Sequence, residues 1–281
     1  LPQPHPSTAG FKELLKASQS DANSKAEVLA AVPAEVNRFV LDALFERPVQ
    51  ATLVELLLLQ QGDRSFTSCV LVHGMGGTGK TVTAVAAVQD TAVRRWFSEI
   101  YWLTVGADAV GERIKQLAAM LYKQLSGKSM KEEGQDEHER QAMLVAAMAD
   151  KQRALVVLDD PWMPEQVRFL NPIDGSQQTE HRLLVTTRIR DLVPKATRVE
   201  LPLMGKDEAV ALLLELANVE KAEYLKEQPG SAWPPEAAYA IVSECGLLPI
   251  TLTIAAQVVR NWGSGWQESV LPLLREDQGS G

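Results

Sequence analysis

Apolar positions recur at helical spacing early in the chain, at Val36, Phe39, Val40 and Leu44 and again over 51–60, which predicts two helices. Between them Phe45-Glu46-Arg47-Pro48 reads as a turn, because Pro48 confines Arg47 to extended backbone. The period then changes. Residues 66–73 form a β-branched run that ends on glycines, and a helical stretch over 81–97 follows at once. Further strands are expected at 99–105, 154–159, 182–186 and 196–201, with helices at 112–125 and 141–151 among them. Strands alternating with helices predict parallel βαβ units whose sheet is covered on both faces. After Leu203 only helical patterns remain, at 207–217, 235–245, 249–262 and 267–275. The fold class expected is α/β: a parallel sheet with flanking helices, plus a small all-helical subdomain.

Length adds a division to this picture. The 281 residues have room for about two domains. A linker-like N-terminal segment is expected over 1–34, an α/β domain over 35–201, a helical subdomain over 202–276 and a tail over 277–281. The first segment is rich in Pro, Ser and Ala, and Pro33 interrupts any helix begun by the weakly amphipathic patch at 11–16. With no initiator Met and a linker-like Gly-Ser tail, the chain reads as a piece of something larger.

Composition and charge narrow the classes. At 46% hydrophobic and 23% charged residues the chain is that of an ordinary globular protein. A net charge of −8 argues against a nucleic-acid binder held by Lys and Arg on phosphates. Cys69 and Cys245 both lie in apolar runs, so they are expected as reduced core thiols of a cytoplasmic protein rather than a zinc site. The apolar run at 245–259 contains a Gly and a Pro and is too short to span a bilayer. The charged stretch at 128–140 is expected as a solvated loop.

Chemistry enters with Gly74-Met75-Gly76-Gly77-Thr78-Gly79-Lys80-Thr81, which fits the phosphate-loop pattern G-x-x-x-x-G-K-[ST]. Glycines allow a tight turn whose N–H groups face phosphate oxygens, and the helix that follows adds the positive end of its dipole. Lys80 is expected to reach the β- and γ-phosphates and the Thr81 hydroxyl to ligate Mg²⁺. The binding segment is thus Gly74, Gly76, Gly77, Thr78, Gly79, Lys80, Thr81 and Val82. Downstream, the apolar strand at 154–159 runs into Asp159 and Asp160. Asp159 is read as the second metal ligand, beside Thr81, and Asp160 as the candidate to orient or deprotonate an attacking water. Because Pro161 follows, a plain turn-initiating Asp160 remains the alternative. Arg188 ends a further apolar strand, where it could sense a terminal phosphate or be no more than an exposed loop residue. His73, just before the loop, is expected as a strand-end residue and not a catalyst.

With these residues in hand, the chain resembles the NB-ARC branch of the STAND nucleotide-binding switches, the group that includes the apoptosome scaffold and plant disease-resistance receptors. The matching blocks, in order, are HGMGGTGKT (73–81), WFSEIYWLTVG (96–106), ALVVLDDPW (154–162), LLVTTR (183–188), LPLMGKDEAVALLLELA (201–217) and ECGLLPITL (244–252). The resemblance implies tight binding of ADP or ATP with Mg²⁺, slow hydrolysis, and a passage from closed monomer to oligomer on nucleotide exchange. It implies that Pro249 contacts adenine from the helical side, that the segment Phe45 to Arg47 contacts the base from the other side, and that Arg188 is the sensor arginine. It also implies an upstream effector and downstream sensor domains, and a winged-helix subdomain with an ADP-contacting His beyond this chain. Two departures stand out. The family's Gly-Leu-Pro-Leu block reads Leu247-Leu248-Pro249-Ile250 here, and Pro161 replaces an apolar β-branched residue. The competing function is a cycling AAA+-type ATPase, which needs an arginine supplied in trans; Arg94 and Arg95 are available. A small-molecule kinase is a poorer third, for want of lid arginines.

Overall fold

Five parallel strands form one sheet in the computed structural model, which describes residues 29–36, 47–60, 62–63, 66–130, 136–173 and 180–276. They are β1 (Cys69–His73), β2 (Glu99–Thr104), β3 (Ala154–Asp159), β4 (Arg182–Thr187) and β5 (Thr197–Glu200), in the order β2-β3-β4-β1-β5. Every residue of β1, β3 and β4 is buried, as expected of central strands covered on both faces. In β5 only Val199 is buried, and its alternation of charged and apolar residues marks the sheet edge.

Side chains on a strand alternate between faces, so the sheet builds two cores. On one face Val70, Val72, Leu155, Val157 and Leu184 pack with Leu53 and Leu57 of α1 (Pro48–Leu58), and with residues of α2 (Lys80–Gln89) and α3 (Thr91–Trp96). On the other, Leu71, Leu103, Val156, Leu158 and Val185 pack with α4 (Glu112–Ser126), α5 (Glu137–Ala149) and α6 (Pro164–Leu170). A third core belongs to the helices after β5: α7 (Lys206–Leu216), α8 (Lys221–Glu227), α9 (Glu236–Glu244), α10 (Pro249–Trp262) and α11 (Trp266–Glu276).

Several elements differ from expectation for local reasons. The single helix at 81–97 is two, because Asp90 leaves helical backbone and its carboxylate accepts the N–H groups of Ala92 (2.7 Å) and Val93 (3.2 Å). Helix α5 begins before residue 141, at Glu137, where Asp136 caps the Glu139 N–H at 2.8 Å. The charged stretch at 128–140 is therefore helical at its end, while 131–135 lie outside the described residues. The seven-residue helices α6 and α8 were not expected. Pro48 starts α1 at a first-turn position, where its missing N–H leaves nothing unpaired, and Arg47 before it is extended as predicted. The patch at 11–16 and most of the helix expected from Val36 to Leu44 lie outside the described residues; residues 34–36 form a turn closed by Val36 N–H on the Pro33 carbonyl at 3.0 Å.

Cys69 and Cys245 are free and buried, and burial pushes the Cys69 thiol up to about 12. No described helix is long and apolar enough to cross a membrane.

Candidate functional site

The strand order reverses around β1. From β1 the chain runs to the far edge at β2, returns through β3 and β4, and passes over β1 to β5. Ligands in such sheets sit in the crevice beyond the carboxyl ends of the strands, and the sequence places its chemistry there.

Between β1 and α2 the chain turns back on itself through Gly74 to Gly79. Thr78 is buried and its hydroxyl donates to the Met75 carbonyl at 2.9 Å, closing the turn. The Lys80 ammonium curls over the loop and donates to the Gly74 (3.0 Å) and Met75 (2.7 Å) carbonyls. Burial, and then the Arg188 guanidinium beside it, hold the Lys80 pKa below its ordinary value against the pull of Asp160 and Asp159. Two cations that disfavour each other across a glycine loop are a setting that an anion relieves. Gly77 has φ 82°, and a Cβ there would stand 2.5 Å from Ile250 Cγ2, so the loop admits only glycine where α10 presses on it.

Asp159 closes β3 with 5% of its surface exposed. Its Oδ1 accepts the Thr81 hydroxyl at 2.8 Å and the Thr186 hydroxyl at 2.6 Å. Burial raises its pKa, and the two hydroxyls oppose that rise. A carboxylate joined to the phosphate-loop threonine is the donor pair for Mg²⁺ coordinated partly by phosphate oxygens. Thr186 gives its single proton to Asp159 and accepts the Asp160 N–H on a lone pair at 3.1 Å. Asp160 itself has φ 56°, a left-handed conformation that Asp tolerates better than most residues. Its Oδ2 accepts the Trp162 indole N–H at 3.2 Å. Pro161, at the departure from the family block, is buried and its carbonyl accepts the Thr187 hydroxyl at 2.8 Å.

Arg188 follows β4 directly and is exposed, its guanidinium carbon 4.9 Å from the centre of the Trp162 ring. A Cβ on Gly76 would lie 3.1 Å from Arg188 Nη1, so this arginine lies along the phosphate loop. Among the described residues no carboxylate forms an ion pair with it.

The helical part meets the loop at two points. Pro249 begins α10, and the Ile250 N–H next to it reaches the Gly77 carbonyl at 3.4 Å. On the other side Arg47 donates from Nε to Glu208 Oε1 (2.7 Å), from Nη1 to the Thr78 carbonyl (3.2 Å) and from Nη2 to the Pro202 carbonyl (3.1 Å). Leu247, where the first glycine of the family block would fall, keeps a left-handed backbone at φ 58°. Val82 lies partly exposed on the first turn of α2, and Phe45 lies outside the described residues.

Thus Lys80, Thr81, Asp159, Asp160, Arg188, Arg47 and Pro249 converge on one phosphate loop. Sequence reasoning missed Thr186, Trp162, Glu208, Gln166 and Ile250. The first stood inside a quoted block, LLVTTR, as the residue that faces Asp159 across β3 and β4. Trp162, Glu208 and Ile250 also stood inside quoted blocks, but the partners that give them a role, Arg188, Arg47 and Gly77, lie far off in sequence, as do the Gly106 and Ala109 carbonyls that Gln166 reaches.

Sheet order, glycine loop and strand-end carboxylate define a P-loop nucleotide-binding protein. More closely, the NB-ARC domain family matches residues 48–223, and the chain belongs to that family. It is 28% identical over 230 residues to apoptotic protease-activating factor 1 of Danio rerio, covering 78% of this chain and 17% of that protein. It is 29% identical over 255 residues to the regulatory protein AfsR of Streptomyces coelicolor, covering 89% and 24%. Against the disease resistance protein ADR1 of Arabidopsis thaliana the identity is 27% over 206 residues, covering 72% and 22%. The chain therefore spans less than a quarter of the length of these relatives. Family membership makes nucleotide binding the shared chemistry, with Mg²⁺ its usual companion.

Proposed function

We propose that this chain is the nucleotide-binding switch and oligomerisation module of a cytoplasmic NLR-like signalling receptor in defence or cell death. It binds ADP or ATP with Mg²⁺ and hydrolyses slowly. Residues 35–201 form the binding domain and 202–276 the lid. The observation that carries this reading is the seating of α10 on the phosphate loop, through Ile250 N–H on the Gly77 carbonyl. A lid that touches the loop itself packs on the element that holds the phosphates, so that bound phosphates can favour or disfavour that packing, which is what a nucleotide switch requires. ADP favours the closed packing, and ATP an open form that self-associates.

Each residue then has a task. The loop N–H groups and Lys80 hold the β- and γ-phosphates, and Lys80 leaves the Gly74 and Met75 carbonyls to do so. Thr81 and Asp159 hold Mg²⁺, which when bound neutralises charge on the phosphate oxygens. Arg188 senses the terminal phosphate through charge-assisted bonds. Asp160 orients the water whose oxygen bonds to the γ-phosphorus as the β–γ bridging bond breaks; the water proton passes to the carboxylate and ADP leaves. Pro249 and Arg47 flank the base. A cycling ATPase has less support. Arg94, one of the two arginines available in trans, donates to the Ala30 carbonyl of its own chain at 3.0 Å.

The test begins with denaturing the purified chain and separating what is released by ion exchange. Stoichiometric ADP or ATP is expected. A chain that releases nothing and also fails to bind added adenine nucleotide with Mg²⁺ would overturn the switch reading. Steady turnover above about one per second, the range of ordinary enzymes, would favour the cycling ATPase. Lys80→Ala is expected to abolish triphosphate binding without shifting the thermal midpoint of the ligand-free chain by more than a few degrees.

A further inference from the structure

Trp162 stands between two groups that the switch needs. Its indole N–H donates to Asp160 Oδ2 at 3.2 Å, and the Arg188 guanidinium carbon lies 4.9 Å from its ring centre. What fixes Trp162 is itself buried. Gln166, 1% exposed, accepts the Trp162 N–H (2.7 Å) and the Met163 N–H (3.0 Å) at Oε1, and its amide donates to the Gly106 and Ala109 carbonyls, both at 3.1 Å. The Trp162 backbone is therefore tied through α6 to the loop that leaves β2, and the ring is held from there by Asp160 and Arg188. A guanidinium lying on an indole face is attracted by the ring quadrupole while its in-plane N–H donors stay free. Those donors lie against Gly76, whose lack of a Cβ leaves room for them.

We infer that Trp162 is a positioning residue that aims two groups at once, Arg188 at the terminal phosphate and the Asp160 carboxylate at the attacking water. The inference rests on the nucleotide reading of the same site. Without the indole, a long exposed arginine samples many rotamers, and ordering it on phosphate carries an entropy loss that the stack has already met. Asp160 likewise loses the donor that fixes which oxygen faces the crevice.

The two arms separate by substitution in the full 281-residue chain. Trp162→Phe keeps an aromatic face and removes the N–H. Its ratio of ATP to ADP affinity, read with fluorescent nucleotide analogues, is expected to stay within about twofold while the single-turnover hydrolysis rate falls about tenfold. Trp162→Leu removes the face as well, and the affinity ratio too is expected to fall about tenfold. ADP affinity should hold within about twofold in both variants, which a general packing defect would not spare. Equal losses for both nucleotides, or wild-type ratio and rate in both variants, would overturn the positioning role. If Trp162→Leu does not fold, the Phe variant still decides whether the indole N–H acts through Asp160. Bound ATP with no measurable turnover in the wild type overturns the Asp160 arm. A wild-type chain that binds neither nucleotide overturns the switch reading itself, and this inference with it.

Discussion

His181 stands before β4 at the end of the sheet remote from the phosphate loop, 4% exposed, and its Nδ1 accepts the Ala154 N–H at 3.1 Å. A proton on Nδ1 would set one N–H against another, so the folded imidazole is neutral and carries its hydrogen on Nε2. Burial, and then the charge of Arg182 beside it, hold its pKa below the ordinary histidine value. The sign follows. An unfolded imidazole takes up its proton near pH ~6.5, the folded one only at lower pH, so between those values the unfolded chain binds more protons. Stability is full above that window and falls as pH drops through it, by at most about 1.4 kcal/mol per pH unit for each such histidine. His73 adds to the same loss, since burial lowers its pKa as well. Urea unfolding between pH 7 and pH 5 should show this slope, and His181→Asn should remove one proton's worth of it; identical slopes would refute the assignment. Nothing in the sequence marks His181 in this way, because its partner is 27 residues away on the neighbouring strand. Lys80, Thr81 and Asp159 were legible for the opposite reason. Each sits at a fixed step from a glycine loop or a strand end, and local chain geometry alone delivers it to the crevice.

At the scale of elements, the break at Asp90 shows what local chemistry adds to period. The apolar pattern over 81–97 is consistent with one helix, and Val85, Val88 and Val93 are all fully buried on the same sheet face. A carboxylate that caps two N–H groups outweighs the single bond gained by running the helix on, and so α3 starts afresh. Asp90→Ala should lower unfolding free energy by about 1 kcal/mol, and Asp90→Asn, which keeps an acceptor, by less. Equal losses in chemical denaturation would mean that the kink is set by packing of Val93 and Phe97 rather than by the cap. The central strands were readable as unbroken apolar runs and the longer helices because each repeats its period several times. Helices α6 and α8 were not, since seven residues hold barely two turns and fall below any window in which a period stands out. Yet α6 carries Gln166, which anchors the backbone from which Trp162 projects.

For the whole molecule the question is what joins lid to loop, and Arg47 is the residue through which most of that joining passes. One guanidinium reaches the phosphate loop at Thr78, the connection after β5 at Pro202, and the first turn of α7 at Glu208. Glu208 spends its second oxygen on the Gly205 N–H at 3.0 Å, so its carboxylate holds the start of α7 and the arginine together. The pair is mostly removed from water, Arg47 at 9% and Glu208 at 23% side-chain exposure, and removing one partner leaves a poorly solvated charge behind. The sequence could not pair residues 161 positions apart, though resemblance had already put Arg47 beside the base. If the three contacts act as one link, Arg47→Ala and Glu208→Ala should each speed ADP release, and the double variant should be no faster than the worse single one. The coupling expected is about 1–2 kcal/mol, or roughly five- to thirtyfold in rate, as measured by stopped-flow displacement of a fluorescent ADP analogue. Rates that simply multiply would separate the two residues. Arg47 would then serve the nucleotide alone, and coupling between loop and lid would fall to Ile250 and Gly77.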